Sequence, residues 1–147
     1  MNYQEWLDAI EELTKSNNFL ILEKLEKEPI NESINHLIED KLINLINNRT
    51  QYSLNKIVIE LNNMYSDQYQ FDMQLIIFKK DIEFSLRLLK LKQISKEKYD
   101  EALSDLKKEV EESYKILDKT ALEIDPNGNL SLIIKNNRIK WSDNNEL

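Results

Sequence analysis

One histidine stands between two carboxylates on a predicted helix. Glu32 and Asp40 lie four residues before and after His36, a spacing that brings all three side chains to one helical face. Such a trio has the ligand types for a divalent metal, but carboxylate sites in helical proteins draw paired ligands from several helices, and a second pair needs a second histidine. His36 also projects away from the apolar stripe of its helix. We therefore expect a solvated histidine, no metal site and no cofactor.

Two carboxylates in the most apolar predicted helix are the best candidates for general acid–base chemistry. Asp81 and Glu83 have apolar neighbours that favour partial burial, which that chemistry requires. Lys79, Lys80 and Arg87 are equally near, and we expect them to pair with the carboxylates instead. No serine lies in a glycine-flanked turn, and no nucleophile has a plausible histidine partner. The sequence therefore predicts a protein that is not an enzyme.

The composition excludes several classes of site. The chain of 147 residues has one glycine, so it cannot form a P-loop or another glycine-rich phosphate cradle. With no cysteine and one histidine it cannot form a zinc finger, an iron–sulfur centre or a thiol active site. Any anion would have to be bound by side chains or by helix N-termini.

A row of carboxylates marks one face of the last predicted helix. Its members follow one another at steps of four, four, four and three residues: Glu97, Glu101, Asp105, Glu109 and Glu112. An acidic face of this kind is a candidate binding surface for a basic partner. The alternative is a solvated face, because Lys98, Lys108 and Lys115 stand three residues from its carboxylates and can neutralise them.

A basic segment precedes this row. Residues 79–98 hold seven basic and three acidic residues, and a C-terminal hairpin folded beside them would add more positive charge. The candidate anion-binding patch comprises Lys79, Lys80, Arg87, Lys90, Lys92, Arg138 and Lys140. A nucleotide or nucleic acid could bind there, although the net charge of −7 opposes it. Nearby aromatic residues for base stacking are scarce, and Phe84, Tyr99 and Trp141 are better explained by packing.

The segments that must position these residues are mostly helical. Periodicity predicts a first amphipathic helix from Tyr3 and a second over residues 19–28, although residues 19–22 could instead form a strand. Asn31 is predicted to cap a third helix, which ends at residues 47–48. Ser53 is predicted to cap a fourth, with an apolar stripe reaching Tyr65. Residues 1–66 would thus contain four short helices.

A long helical hairpin is predicted next, over residues 67–122. Asp67 and Gln70 have the spacing of a capping box, and the two arms turn at residues 93–95. Antiparallel arms would pair Leu86 with Leu103, Ile82 with Leu106, Phe78 with Val110 and Leu75 with Tyr114. Alternating apolar residues then predict a β-hairpin within residues 123–141, followed by a flexible tail, residues 142–147. The sequence therefore predicts one mostly α domain over residues 1–141, a bundle of five or six helices built on the long hairpin.

Charge and hydropathy bound the setting of the protein. The balance is −6 over residues 1–70 and −1 over residues 71–147, so charge is segregated along the chain. No apolar run is long enough to cross a bilayer, and the start of the chain has no secretory pattern, so we expect a cytoplasmic protein. The abundance of asparagine, isoleucine and lysine, which have AT-rich codons, indicates a low-GC genome such as that of a bacterium or its phage.

These observations predict a non-enzymatic protein–protein interaction module. An adaptor, an inhibitor or an immunity-type protein encoded by a phage or another mobile element fits the missing catalytic chemistry and the segregated charge. The alternative is a nucleotide- or nucleic-acid-binding regulator that uses residues 79–98 with the C-terminal hairpin. Self-association is a separate hypothesis, motivated by the all-round apolar start of the fifth predicted helix.

Overall fold

The described part of the chain is mostly helical, as predicted. A computed structural model describes the backbone of residues 1–62, 68–117, 120–124, 130–134 and 140–142, and the side chains of residues 1–57, 59–60 and 73–112. These residues form five helices: α1 (Tyr3–Lys15), α2 (Phe19–Glu26), α3 (Asn35–Asn62), α4 (Gln68–Leu89) and α5 (Lys96–Leu117). Three strands follow, β1 (Thr120–Ile124), β2 (Leu130–Ile134) and β3 (Lys140–Ser142), in one antiparallel sheet of order β1-β2-β3.

Asparagine side chains begin the first two helices. Asn2 accepts a hydrogen bond from the backbone of Glu5 at 2.8 Å, and Glu5 accepts one from the backbone of Asn2 at 3.0 Å, which completes a capping box. Asn18 accepts bonds from the backbones of Leu20 and Ile21 at 3.1 and 3.2 Å. Residues 19–22 are therefore helical rather than a strand, because their free N–H groups are satisfied by a cap and not by a neighbouring strand.

The predicted break between the third and fourth helices was wrong. Helix α3 is continuous across residues 47–53, and Ser53 is buried inside it rather than capping a new helix. Neither glycine nor proline occurs between residues 30 and 125, and asparagine or serine within a helix costs only about 0.5 kcal/mol. One helical period also joins the buried positions of the two halves, namely Ile38, Leu42, Leu45, Ile46, Thr50, Ser53, Leu54 and Ile57. Within the described residues 1–62, three helices thus begin, not four.

The turn between α4 and α5 is held by polar contacts. Ser95 accepts a hydrogen bond from the backbone of Lys98 at 3.3 Å, so the predicted start of the last helix is confirmed. Glu39 of α3 accepts a bond from the backbone of Ser95 at 2.6 Å, and Gln93 donates to the carbonyl oxygen of Pro29 at 2.8 Å. The turn is therefore tied to α3 and to the α2–α3 connection. The predicted capping box at Asp67 lies outside the described residues.

Helix α3 organises the packing. It makes extensive contacts with α4 and α5 and further contacts with α1, whereas α4 and α5 contact each other sparsely. Its 28 residues span about 42 Å, which is long enough for three neighbours to pack along it. The core draws on all five helices. One buried member from each is Trp6, Leu22, Leu42, Ile82 and Val110. The predicted hairpin arms therefore pack mainly on α3 rather than on each other, and Tyr114 lies outside the described side chains.

The length and apolar character of the same helices bear on membrane insertion. In the described part of the chain no helix combines the length and the apolar character needed to cross a bilayer.

Candidate functional site

Arg49 of α3 joins three helices through hydrogen bonds and a ring contact. One terminal nitrogen, Nη1, donates to the carbonyl oxygen of Leu13 at 2.8 Å, and the other, Nη2, donates to Oδ1 of Asn17. The centre of the guanidinium lies 4.4 Å from the centroid of the Phe84 ring. Arg49 therefore caps the C-terminal end of α1 from α3 and also stacks on α4.

Asn17 extends this network to a carboxylate. Its Nδ2 donates to Oδ1 of Asp81 at 2.9 Å, so one amide accepts from Arg49 and donates to Asp81. Burial lowers the pKa of Arg49, and the negative charge of Asp81 opposes that effect. The guanidinium of Arg49 stays protonated even so. The network therefore holds a partly buried cation on two neutral acceptors, and the carboxylate of Asp81 is bound through the second of them, Asn17. Nε of Arg49 is buried and has no hydrogen-bond partner among the described residues.

An open cleft of about 420 Å³ lies over this network. Its walls include Lys15, Asn17, Arg49, Tyr52, Ser53 and Asp81. These groups can hydrogen-bond and can attract either sign of charge, but the cleft does not contain the single histidine of the chain, which lies at the start of α3. Both terminal nitrogens of Arg49 are already bonded within the fold. The polar groups beneath the cleft therefore hold α1, α3 and α4 together.

Sequence reasoning identified Asp81 and missed Arg49. Asn17, which the sequence analysis did not single out, joins the two charged groups. One signal was available: Arg49 is one of three arginines in the chain, and it lies four residues from both Leu45 and Ser53, which share its helical face once residues 47–53 are helical. A cation in such a position needs a local acceptor, and an exposed α1 C-terminus supplies carbonyl oxygens.

The acidic row of α5 divides into an open part and a covered part. Glu97, Glu101, Asp105 and Glu112 are exposed. In the part of the chain that the structure describes, none of these four accepts a hydrogen bond or forms an ion pair, although Lys98 and Lys108 are three residues from two of them. The expected neutralisation by these lysines is therefore not seen.

Glu109 is the covered member of the row. It faces α3, where Nε2 of Gln51 donates to its carboxylate at 2.5 Å. Burial raises the pKa of Glu109, the charges of Asp105 and Glu112 add to the increase, and the bond from Gln51 opposes it. The row of five predicted from spacing is thus an exposed surface of four carboxylates, which we call the acidic face.

The basic segment is partly consumed by the fold. Lys79 forms an ion pair with Glu83 at 3.1 Å, as predicted, while Arg87 binds both carboxylate oxygens of Glu26 on α2. The hydrogen bond to Glu26 raises the pKa of Arg87. Three further members are exposed, namely Lys80, Lys90 and Lys92, and the side chains of Arg138 and Lys140 lie outside the described residues. Two of the five described cations are therefore already neutralised.

The histidine trio does not converge. Glu32, His36 and Asp40 are all exposed, and no three histidine, aspartate or glutamate side chains cluster closely enough to hold a metal ion in the described parts of the chain. Comparison with known proteins adds no relative: no family model, no curated protein and no solved structure matches this chain. Function can therefore be argued only from the geometry of the described residues.

Proposed function

We propose that this chain is a non-enzymatic, cytoplasmic protein–protein interaction module that binds a basic partner through the acidic face of α5. The observation that carries the proposal is that four carboxylates stand exposed on one helix and have no ion pair among the described residues. An adaptor, an inhibitor or an immunity-type protein of a phage or mobile element would use such a surface.

The acidic face is held in place by the opposite side of its helix. Leu103, Leu106 and Val110 of α5 are buried in the core, and helical spacing places them across the axis from Glu101 and Asp105. From the first to the last carboxylate the face spans about 22 Å of helix. Because the core fixes α5, a partner would meet an ordered surface and would lose less conformational entropy on binding.

Charge gives this surface its preference. Like charges four residues apart destabilise a helix by a few tenths of a kcal/mol per pair, roughly 0.3 kcal/mol, and a basic partner would relieve that repulsion. A surface of net negative charge also steers an oppositely charged partner during association, and added salt screens the effect. We therefore expect binding that weakens as salt rises.

The position of the three-stranded sheet is part of the same proposal. We propose that the three strands lie on the helical bundle as a small C-terminal addition, because β1 contacts α5 and β2 contacts α4. An isolated two- or three-stranded sheet of this size is marginal in water, so its apolar residues need a neighbour. The alternative function, nucleotide or nucleic-acid binding, has less support, because Lys79 and Arg87 are paired within the fold.

The test is binding to defined peptides at low and moderate salt. Fluorescence anisotropy would compare a lysine-rich helical peptide with a glutamate-rich one of equal length. Binding of the lysine-rich peptide alone is expected, and the triple variant Glu97→Gln, Glu101→Gln, Asp105→Asn should weaken it by about tenfold.

A matched control separates the acidic face from net charge. The triple variant Glu12→Gln, Glu32→Gln, Asp40→Asn removes the same number of charges from exposed positions outside α5. It should change the affinity by less than about twofold. Equal losses in the two triple variants, or no binding of the lysine-rich peptide at low salt, would overturn the proposal.

A further inference from the structure

Four large apolar side chains remain exposed on two neighbouring helices. Tyr52 and Ile59 of α3 are 69% and 61% exposed, and Met73 and Ile77 of α4 are 39% and 41% exposed. They are half of the large hydrophobic residues that are exposed in the described part of the chain. Helices α3 and α4 also pack closely on each other, so these side chains belong to one side of the fold.

The four side chains flank a shallow groove. Lys56 and Glu60 of α3 line it together with Gln74, Ile77 and Asp81 of α4. Tyr52, Lys56 and Ile59 follow one another at spacings of four and three residues, so they lie on the same face of α3. Met73 is one turn from Ile77. The buried Ile57 and Phe78 also line the groove, so charged side chains stand above an apolar base, and we call this surface the α3–α4 face.

The charges of this face are of opposite sign along α3. Lys56 precedes Glu60 by four residues, yet the two form no ion pair with each other or with another residue in the described part of the chain. This order, lysine before glutamate, is the weaker one for pairing within a helix. When a second α3 runs antiparallel, the order is reversed, and each lysine then meets a glutamate.

We propose that the α3–α4 face is the interface of a symmetric homodimer. The two α3 helices pack antiparallel, Lys56 of one protomer pairs with Glu60 of the partner subunit, and the four apolar side chains of each copy cover those of the other. A two-fold axis makes every contact occur twice, so the face must be complementary to itself. The opposite signs of Lys56 and Glu60 on α3 meet that requirement, whereas the net negative charge of the acidic face of α5 suits a different partner.

Charge exchange tests the pairing directly. Lys56→Glu or Glu60→Lys alone places like charges in contact twice per dimer, so sedimentation equilibrium should show a dissociation constant raised by about tenfold or more. The double variant, Lys56→Glu with Glu60→Lys, restores both pairs and should return the constant to within about threefold of the original. An equimolar mixture of the two single variants should also dimerise, because each lysine then meets a glutamate.

An apolar variant with a matched control completes the test. Ile59→Glu should make the protein monomeric, whereas Leu20→Glu, at a 79% exposed position on α2, should leave the dimer unchanged. Circular dichroism would confirm that each variant is folded. A parent protein that is monomeric at every concentration measured, or single charge variants that dimerise as well as the parent, would overturn the proposal. Peptide binding by the acidic face is measured separately and does not depend on this outcome.

Discussion

Burial decides which charged residues the fold uses and which it leaves for a partner. Arg87 and Lys79 were expected in one anion-binding patch, but Lys79 pairs with Glu83 one turn along α4, and Arg87 binds Glu26 once α2 packs beside α4. Glu109 was expected on the exposed acidic row, but α3 covers it. Spacing along α5 placed these carboxylates on neighbouring turns correctly, and only the position of α3 separates Glu109 from the rest.

Glu109 should make stability depend on pH. Its pKa is raised in the folded protein, mainly by burial, so the folded state binds this proton more tightly than the unfolded chain. The resulting contribution to stability is present below the ordinary glutamate pKa of 4.5 and is lost as the pH rises through the higher folded value. Glu109→Gln should therefore stabilise the protein by about 0.5 kcal/mol at neutral pH and by nothing at acidic pH.

Urea denaturation at the two pH values measures this difference. Glu111→Gln is the control, because it removes a charge from an exposed position on the same helix. The result to look for is a gain for Glu109→Gln, after subtraction of the control, that appears only at neutral pH. A gain of the same size at acidic pH would show that the charge of Glu109 is not responsible.

At the scale of single elements, periodicity and caps predicted most of the helices. Asn2, Asn18 and Ser95 cap three of these helices, because a side-chain oxygen satisfies the first free N–H groups of the following turn. The same rule failed at Ser53. Asparagine and serine are good caps only when the chain leaves the helix, and nothing local forces it to leave at residues 47–53. The continuous buried face of α3 decides the matter instead.

The continuity of α3 places the hydroxyl group of Thr50 inside the protein. Oγ1 of Thr50 is buried and has no hydrogen bond among the described residues. Thr50→Val keeps the shape of the side chain and removes the unsatisfied group, so it should stabilise the protein by about 1 kcal/mol. Thermal and urea denaturation would measure this gain. The exposed Thr14, whose hydroxyl donates to the backbone of Glu11, provides the comparison: Thr14→Val should give no gain.

At the scale of the whole molecule, α3 connects the other helices. It packs on α1, α4 and α5, and Arg49 adds hydrogen bonds to the end of α1 and a ring contact to α4. The predicted arrangement gave this central role to the α4–α5 hairpin, because the start of its first arm is apolar almost all round and its apolar stripe continues along both arms. The stripe is present, but α3 is the helix it packs against.

Removing Arg49 should therefore weaken the entire fold. Arg49→Met keeps an unbranched apolar stem but leaves the carbonyl oxygen of Leu13 and the amide oxygen of Asn17 without their donor, and about 2 kcal/mol of stability should be lost. Arg49→Lys should recover only part, since an ammonium lacks the forked geometry. In urea denaturation Arg87→Met, at a more exposed pair, should lose less than about 1 kcal/mol. Equal losses at the two arginines would contradict a special role for Arg49.

The sequence by itself determined the helical class, most of the helix boundaries, the absence of glycine-based and cysteine-based sites and the row of carboxylates on α5. All of these follow from residue type and from spacing over a few turns, which act locally. Tertiary structure alone decided that α3 is continuous, that Arg49 reaches the end of α1, that Glu109 is covered and that Tyr52 and Ile59 are left exposed beside Met73 and Ile77. Those outcomes depend on which helix lies against which face, and contacts between residues far apart in the chain set that choice.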